Sequence, residues 1–356
     1  MKFSTTHVSS SELNEDNYVS AENMLQDYQG IVDAKSVPED VNVISFSCGD
    51  ILISNIRPYL KKVWKATYNG GCSSDVFVLK ANDNIESDYL HYVIANDKFI
   101  NFVMSGAKGV KMPRGDKKQM KTYCLSLPQI QEQKKIATLL RLIDERISTQ
   151  SKIIEDLKKL KSAIIEIEYT PNTKNTSPIG DVIEQISKRN KNNAIQNVLS
   201  VSNRQGFIKQ SDQFENRNVA SEDTSNYKIV EQNDFAFNPA RINVGSIARL
   251  TTFEKGIVSP MYVCFRTQEN VAPEYIDYFF ESKHFYCEIQ KRLEGSVRQC
   301  LSFEGLCNIP LSLPSFEIQQ RIGKRIFTLG QKIKMETDLL ELLNKQKQYL
   351  LRQMFI

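Results

Sequence analysis

The chain has 356 residues, 41% of them hydrophobic and 25% charged, with a formal net charge of +4, a composition that fits two or three globular domains and excludes a disordered or fibrous chain. No apolar run approaches the roughly 18–20 residues of a membrane span, and the opening MKFSTTHVSSSELNE lacks the apolar core of a signal peptide. Seven cysteines, none in a CxxC pair, predict reduced and mostly buried thiols in a cytoplasmic protein, not a disulfide framework or a zinc site.

Charge is spread unevenly. Residues 1–50 hold 2 basic and 9 acidic side chains, whereas residues 51–127 hold 12 basic and 6 acidic, so the first half has a basic side that the total conceals. "DILISNI" from Asp50 and "DVFVLK" from Asp75 read as short buried strands. "DYLHYVIANDKFINFVM" from Asp88 has helical spacing, and its aromatic residues suit a core better than a base-stacking platform. A polar loop follows, "SGAKGVKMPRGDKKQMK", in which Lys108, Lys111, Arg114, Lys117, Lys118 and Lys121 are interrupted by one acid, Asp116. Gly106, Gly109 and Gly115 let backbone approach a ligand closely. Amides and Lys/Arg side chains are what phosphates need, although a solvated loop would carry the same charges.

Residues 129–168 follow, with an apolar rhythm of alternating threes and fours: Ile136, Leu140, Ile143, Ile147, Ile154, Leu157 and Ile164. This is a heptad seam, and 40 residues would make a rod of about 60 Å. Gln150 and Lys161 break the seam. The polar, proline-bounded "TPNTKNTSP" from Thr170 stops the helix and opens a new domain.

The text then repeats. "LSLPQIQEQKKIATLLRLIDERI" from Leu125 returns as "LSLPSFEIQQRIGKRIFTLGQKI" from Leu311, 186 residues on, with Gln133 matched to Gln319 and Lys161 to Lys347. The second seam is Ile322, Ile326, Leu329, Ile333, Leu340, Leu343 and Leu350, broken at Glu336 and Lys347, the positions corresponding to Gln150 and Lys161. Each seam needs a partner, and the other copy is the simplest one. Antiparallel pairing would bring the central Gln150 and Glu336 together to fix the register, with the globular halves at opposite ends of a stalk. Upstream, "NDFAFNPARIN" repeats "GDILISNIRPY", matching Asp50 to Asp234 and Arg57 to Arg241, and "MYVCFR" repeats "DVFVLK". The helical segment from Glu274 matches Tyr89 to Tyr275 and Tyr92 to Tyr278. The counterpart loop "LEGSVRQCLSFEG" places Arg298 and Gln299 after Gly295; arginine suits guanine edges and glutamine adenine edges. Residues 169–313 balance at 16 basic and 16 acidic, so a cationic surface there must come from arrangement.

Catalytic signatures are missing. His91 and His284 lie in helix patterns and read as structural, and there is no HExxH, GxSxG, Walker loop or dinucleotide fingerprint. "NIRPY" and "NPARI" are not the (N/D)PP(Y/F/W) tetrapeptide of amino-methyltransferases. The chain reads as a recognition device with no catalytic residue, metal ligand or cofactor of its own.

The duplicated helix start, "LPQIQEQKKIATLLRLIDERI" with its copy from Leu313, together with "GDILISNIRPYLKKVWKA" and "GIVSPMYVCFR", resembles the specificity subunits of type I restriction–modification enzymes over nearly the whole chain. The resemblance implies a mixed α/β (α+β) fold: two pseudo-repeated target-recognition domains, residues 1–127 and 170–313, separated by two long antiparallel coiled-coil helices, residues 128–169 and 314–356. It implies that each domain reads half of a gapped, bipartite site in double-stranded DNA while the helices set the gap. It also implies two methyltransferase subunits and restriction subunits as partners, with S-adenosylmethionine, ATP and magnesium confined to them. Gly323 departs from Ala137 of the first copy, where it would loosen the helix or admit a close neighbour.

Candidate DNA contacts are Arg57, Lys61, Lys62, Lys108, Lys111, Arg114, Lys117 and Lys118 in the first half, and Lys188, Arg189, Asn203, Arg204, Arg241, Arg298 and Gln299 in the second. Two other classes stay open: a coiled-coil adaptor without sequence-specific DNA binding, and a recognition chain of another restriction class.

Overall fold

The computed structural model describes residues 2–170, 176–203, 205–213, 223–295 and 299–355. They form two compact units, Met1–Ser151 with Asp338–Ile356, and Lys152–Thr337. Each unit holds one globular half, the start of the long helix that follows it and the end of the other long helix.

The long helices span Ile130–Glu168 and Phe316–Met354, 39 residues each. They start two residues after Pro128 and Pro314, because the carbonyls of Gln129 and Ser315 accept the first helical N–H groups; the prolines sit just outside instead of at the first helical position. Every seam position from Ile136 to Ile164 and from Ile322 to Leu350 is buried or half-buried, as a 3–4 spacing requires. In one unit Ile136, Ala137 and Leu140 share a core with Leu350, Leu351, Met354 and Phe355. In the other, Ile164, Ile165 and Tyr169 share one with Ile322, Ile326 and Leu329. The start of each helix thus packs against the end of the other, an antiparallel pairing. The seam lysines face carboxylates: Lys347 Nζ lies 2.5 Å from Asp144, and Lys161 Nζ lies 2.6 Å from Glu281. Gln150 is buried and Glu336 holds Lys332 at 2.5 Å.

Both globular halves repeat one four-stranded antiparallel sheet. In the first its order is Lys2–Phe3, Val76–Lys80, Ile51–Ser54, Val63–Lys65; in the second it is Ile183–Ile186, Val263–Thr267, Phe235–Phe237, Ile247–Arg249. A second sheet in each half shares three strands, Asn42–Phe46, Gly70–Cys72 and Tyr18–Val19 in the first, and Lys228–Glu231, Lys255–Val258 and Val198–Ser202 in the second. The fourth strand joins at opposite edges, His7–Ser9 beside Asn42–Phe46 but Gly206–Lys209 beside Val198–Ser202. The end of the interdomain linker is not loop: Thr176–Pro178 pairs with Pro310–Ser312.

Each aromatic helical segment is two short helices, Ser87–Ile94 with Asp97–Ser105 and Pro273–Phe279 with Lys283–Gln290. The break falls at Asn96 and Ser282, whose side chains accept from Lys98 N and Phe285 N and so begin a new helix. Tyr89, Tyr92, Phe99, Tyr275 and Phe279 are buried, which makes them core, and His284 Nε2 is spent on the Pro310 carbonyl at 3.0 Å. All seven cysteines are free, but only Cys72 and Cys264 are buried, while Cys48, Cys124 and Cys287 are exposed, so burial of the thiols is the exception.

A buried glutamine ties each globular half to its long helix. Gln133 Oε1 accepts from Glu86 N at 2.9 Å, and its Nε2 donates to the Asn84 and Pro128 carbonyls at 3.1 and 2.9 Å. Gln319 Oε1 accepts from Ala272 N at 2.9 Å and its Nε2 donates to the Pro314 carbonyl at 2.9 Å.

Gly323 has a steric cause. A Cβ there would lie 2.9 Å from Glu274 Cβ, whereas at Gly330 of the same helix nothing lies within 4 Å. Gly323→Ala should therefore destabilise the chain by about 1–3 kcal/mol through overpacking, despite alanine's better helix propensity. Gly330→Ala should stabilise it by up to about 1 kcal/mol. Urea midpoints of the two variants check this, and equal signs would refute the packing argument.

Burial holds the His91 imidazole down at about 4, with Lys347 and Lys65 pushing it down and Asp144 and Asp88 pulling it up. The folded chain then binds fewer protons than the unfolded chain between pH about 6.5 and about 4, so acidification across that window favours unfolding. The corresponding residue of the second half is Asp277, pushed up to about 6 by burial against the pull of Arg249; its contribution over the same range has the opposite sign. His91→Asn should lose less stability than the parent between pH 6.5 and 4.5, by about 1–3 kcal/mol, in paired denaturation curves.

Candidate nucleic-acid interface

The basic loop of the first half is a closed hairpin. Lys108 N donates to Arg114 O at 3.0 Å and Arg114 N to Lys108 O at 2.9 Å. Gly109 turns the chain at φ +96, a left-handed conformation that favours glycine. The base is anchored where Arg57 N donates to Pro113 O at 2.8 Å and Gly115 N to Asn55 O at 3.0 Å, which brings Arg57 beside a loop some 50 residues away in sequence. Behind it, Asp116 caps the helix Lys117–Lys121 and lies 3.3 Å from Lys108 Nζ; those backbone bonds and Lys108 hold its carboxyl below the usual range. The tip projects into solvent, with Val110 fully exposed and Met112 45% exposed.

The second half repeats the closure of this hairpin. Glu294 and Cys300 exchange both backbone hydrogen bonds at 2.9 Å, Gly295 turns at φ +102, and Leu301 N donates to Pro239 O at 3.0 Å. Gln299 is exposed beside the hairpin's closing pair. Arg241, also exposed, opens the turn Ile242–Val244 close to the hairpin's anchor at Pro239. Asn203 is exposed as well, and a Cβ on Gly245 would sit 3.8 Å from its Cβ, so Asn203 and the Arg241 turn are neighbours. Lys188 and Arg189 are elsewhere, in an open groove of about 790 Å³ shared with Lys191 and Lys255. Arg204 and Arg298 lie outside the described residues.

Several of the expected contacts already have partners. Lys61 Nζ lies 2.8 Å from Asp97 and Lys62 Nζ donates to the Ala21 carbonyl at 2.6 Å; burial lowers the Lys62 pKa. Lys117 Nζ rests 4.8 Å over the Phe3 ring. Arg114 Nη1 lies 3.2 Å from Asp75, and Arg189 Nη1 donates to Asn226 Oδ1 at 3.0 Å. Arg57, Lys111, Lys118, Lys188 and Arg241 are exposed and point the least compensated charge outward. Lys191 and Lys255 line the same groove and were not among the candidates, and Lys255 lies 2.9 Å from Glu231. Lys191 was legible beside Lys188, whereas Lys255 reaches the groove through strand pairing with residues 228–231, which no local pattern announces.

Two copies of one mixed α/β half, each with a polar loop closed by a pair of backbone bonds, joined by paired helices, define a duplicated recognition protein. The type I restriction modification DNA specificity domain matches residues 6–159 and again residues 171–345. The chain belongs to that family and is a DNA sequence-specificity subunit of the type I restriction–modification class. It is 25% identical over 310 residues to the MjaVIII specificity subunit of Methanocaldococcus jannaschii, covering 78% of this chain and 72% of that one. Its fold is like that of the type I S subunit from M. genitalium, with a TM-score of 0.58 at 15% identity over 99% and 96% of the two chains. A chain solved in work on complex assembly and conformational transition of the type I R-M system gives a TM-score of 0.56 at 15% identity over 99% and 98%.

Charge compensation yields a prediction. Lys111→Ala with Lys118→Ala should shallow the slope of log affinity against log salt on duplex DNA by about 1.8, two phosphate contacts at about 0.9 each. Lys61→Ala with Lys117→Ala should leave it within error. Titrations at four salt concentrations, on the chain purified with its partners, separate the two.

Proposed function

We propose that each half of the chain reads one part of a split, asymmetric DNA sequence and that the paired long helices fix the distance between the parts. The observation that carries this is the duplicated hairpin: residues 108–114 and 294–300 share their closing bonds and left-handed glycine, yet only that glycine is common to KGVKMPR and EGSVRQC. The same closure with different side chains suits two different half-sites, unlike the palindrome a homodimer would read.

The subunit positions chemistry done by others and holds no cofactor of its own. Two methyltransferase subunits, using S-adenosylmethionine, and restriction subunits, using ATP and magnesium, join it on cytoplasmic DNA. Exposed apolar side chains recur every seven residues along the long helices. Ile153, Leu160 and Ile167 mark the first helix, and Met335, Leu342 and Tyr349 the second. Such stripes on already paired helices suit further helices from partners. No described helix is long and apolar enough to cross a membrane.

Co-expression with the neighbouring methyltransferase gene and methylome sequencing tests the reading. A gapped motif with methyladenine on opposite strands is expected, and exchanging residues 1–127 for those of a relative should change one half of it only. A soluble complex that adds no methylation, or a swap that changes both halves, would favour a scaffold role.

A further inference from the structure

We propose that Val110, at the tip of the 108–114 hairpin, is a specificity-determining residue that packs against the C5-methyl group of a thymine in the major groove. The assignment rests on the reading that the first half contacts DNA, and it adds which atom does the reading. Val110 is 101% exposed, the most exposed large apolar side chain among the described residues. The loop that carries it is closed by two backbone bonds between Lys108 and Arg114, turned by Gly109 at φ +96 and tied at its base by the Arg57–Pro113 and Gly115–Asn55 bonds. An isolated exposed valine needs no explanation; one at the apex of a closed, anchored loop beside exposed cations does.

The surroundings choose the ligand. Lys111 beside the tip and Arg57 at the base are exposed, while Lys108 and Arg114, also exposed, are held by Asp116 and Asp75, so the loop presents an apolar apex next to cations that suit a polyanion. The major groove is wide enough to admit protein elements up to a helix or a two-stranded ribbon, and the one apolar feature on its base edges is the thymine methyl. Wedges that part base steps are Phe, Leu, Ile, Met or Pro inserted from the minor groove, and valine is not among them. The equivalent residue in the second half is Ser296 by sequence, so a thymine methyl would not be read there in the same way.

Deoxyuridine differs from thymidine in DNA only by that methyl group. The assembled methyltransferase complex is titrated with duplexes in which each thymine of the first half-site, on either strand, is replaced in turn by deoxyuridine. One position should lose affinity about fourfold, the equivalent of one buried methyl group. Val110→Ser should abolish that difference and relax the same position in the methylome while the second half and the spacing stay fixed. Indifference of the parent complex to every replacement would overturn the assignment, as would a first half-site containing no A·T pair or an unchanged motif for Val110→Ser. Those outcomes leave the DNA-reading premise standing. If the parent complex bound no sequence preferentially, the premise would fall and the assignment with it.

Discussion

The structure depends on one buried side chain used twice. Gln133 and Gln319 each sit one turn into a long helix and satisfy the first free N–H of the short aromatic helix beside it, through Glu86 N and Ala272 N. Helix starts leave such donors without intrahelical partners, and a buried donor left unmade costs about 1–3 kcal/mol. The glutamine removes that cost and closes on the carbonyl of the proline that precedes the helix, Pro128 or Pro314. Entry into the long helix, the docking of the aromatic helices and the direction of the seam are thus settled at one amide group. Within each unit, the hairpin's position relative to the helix follows from it.

Around this latch, several polar pairs recur in both halves, while others have diverged. Asp50 and Asp234 each accept from the backbone N–H three residues earlier, Ser47 and Glu231, and face Lys80 and Arg266 at corresponding positions. The ion pair of Lys65 with Asp88 is matched by that of Arg249 with Glu274. At the next pair the chemistry diverges, His91 in one half and Asp277 in the other. At the surface it diverges further. The left-handed position that closes the turn after the central strand is Gly245 in the second half but Lys61 in the first. A non-glycine residue is held there against a conformational cost, with Asp97 and the Tyr28 ring to retain it.

Period and polarity were legible in the sequence because they are set locally. The heptad seams, the aromatic cores and the short strands at residues 51–54 and 235–237 each follow from neighbours within a few residues. What was not legible required knowing who lies across the fold. Gly323 could be noticed as a departure from Ala137, but its cause is Glu274, about 50 residues earlier. Lys61, Lys62 and Lys117 have the composition of DNA contacts; an aspartate, a carbonyl and an aromatic ring take them up. The breaks at Asn96 and Ser282 were hidden inside an unbroken helical rhythm, since a capping side chain is also an unremarkable helix surface residue.

Electrostatics then limits what the chain can do by itself. A net charge of +4 over 356 residues gives little long-range attraction, and many of its cations are neutralised internally: Lys108 by Asp116, Arg114 by Asp75, Lys255 by Glu231. Non-specific phosphate binding scales with the number of uncompensated contacts, so a subunit with few of them holds DNA weakly wherever its hairpins do not match. Weak background attraction is an advantage for a protein whose task is discrimination, because each base contact then forms a larger share of the total binding energy. The affinity it forgoes has to come from elsewhere in its complex.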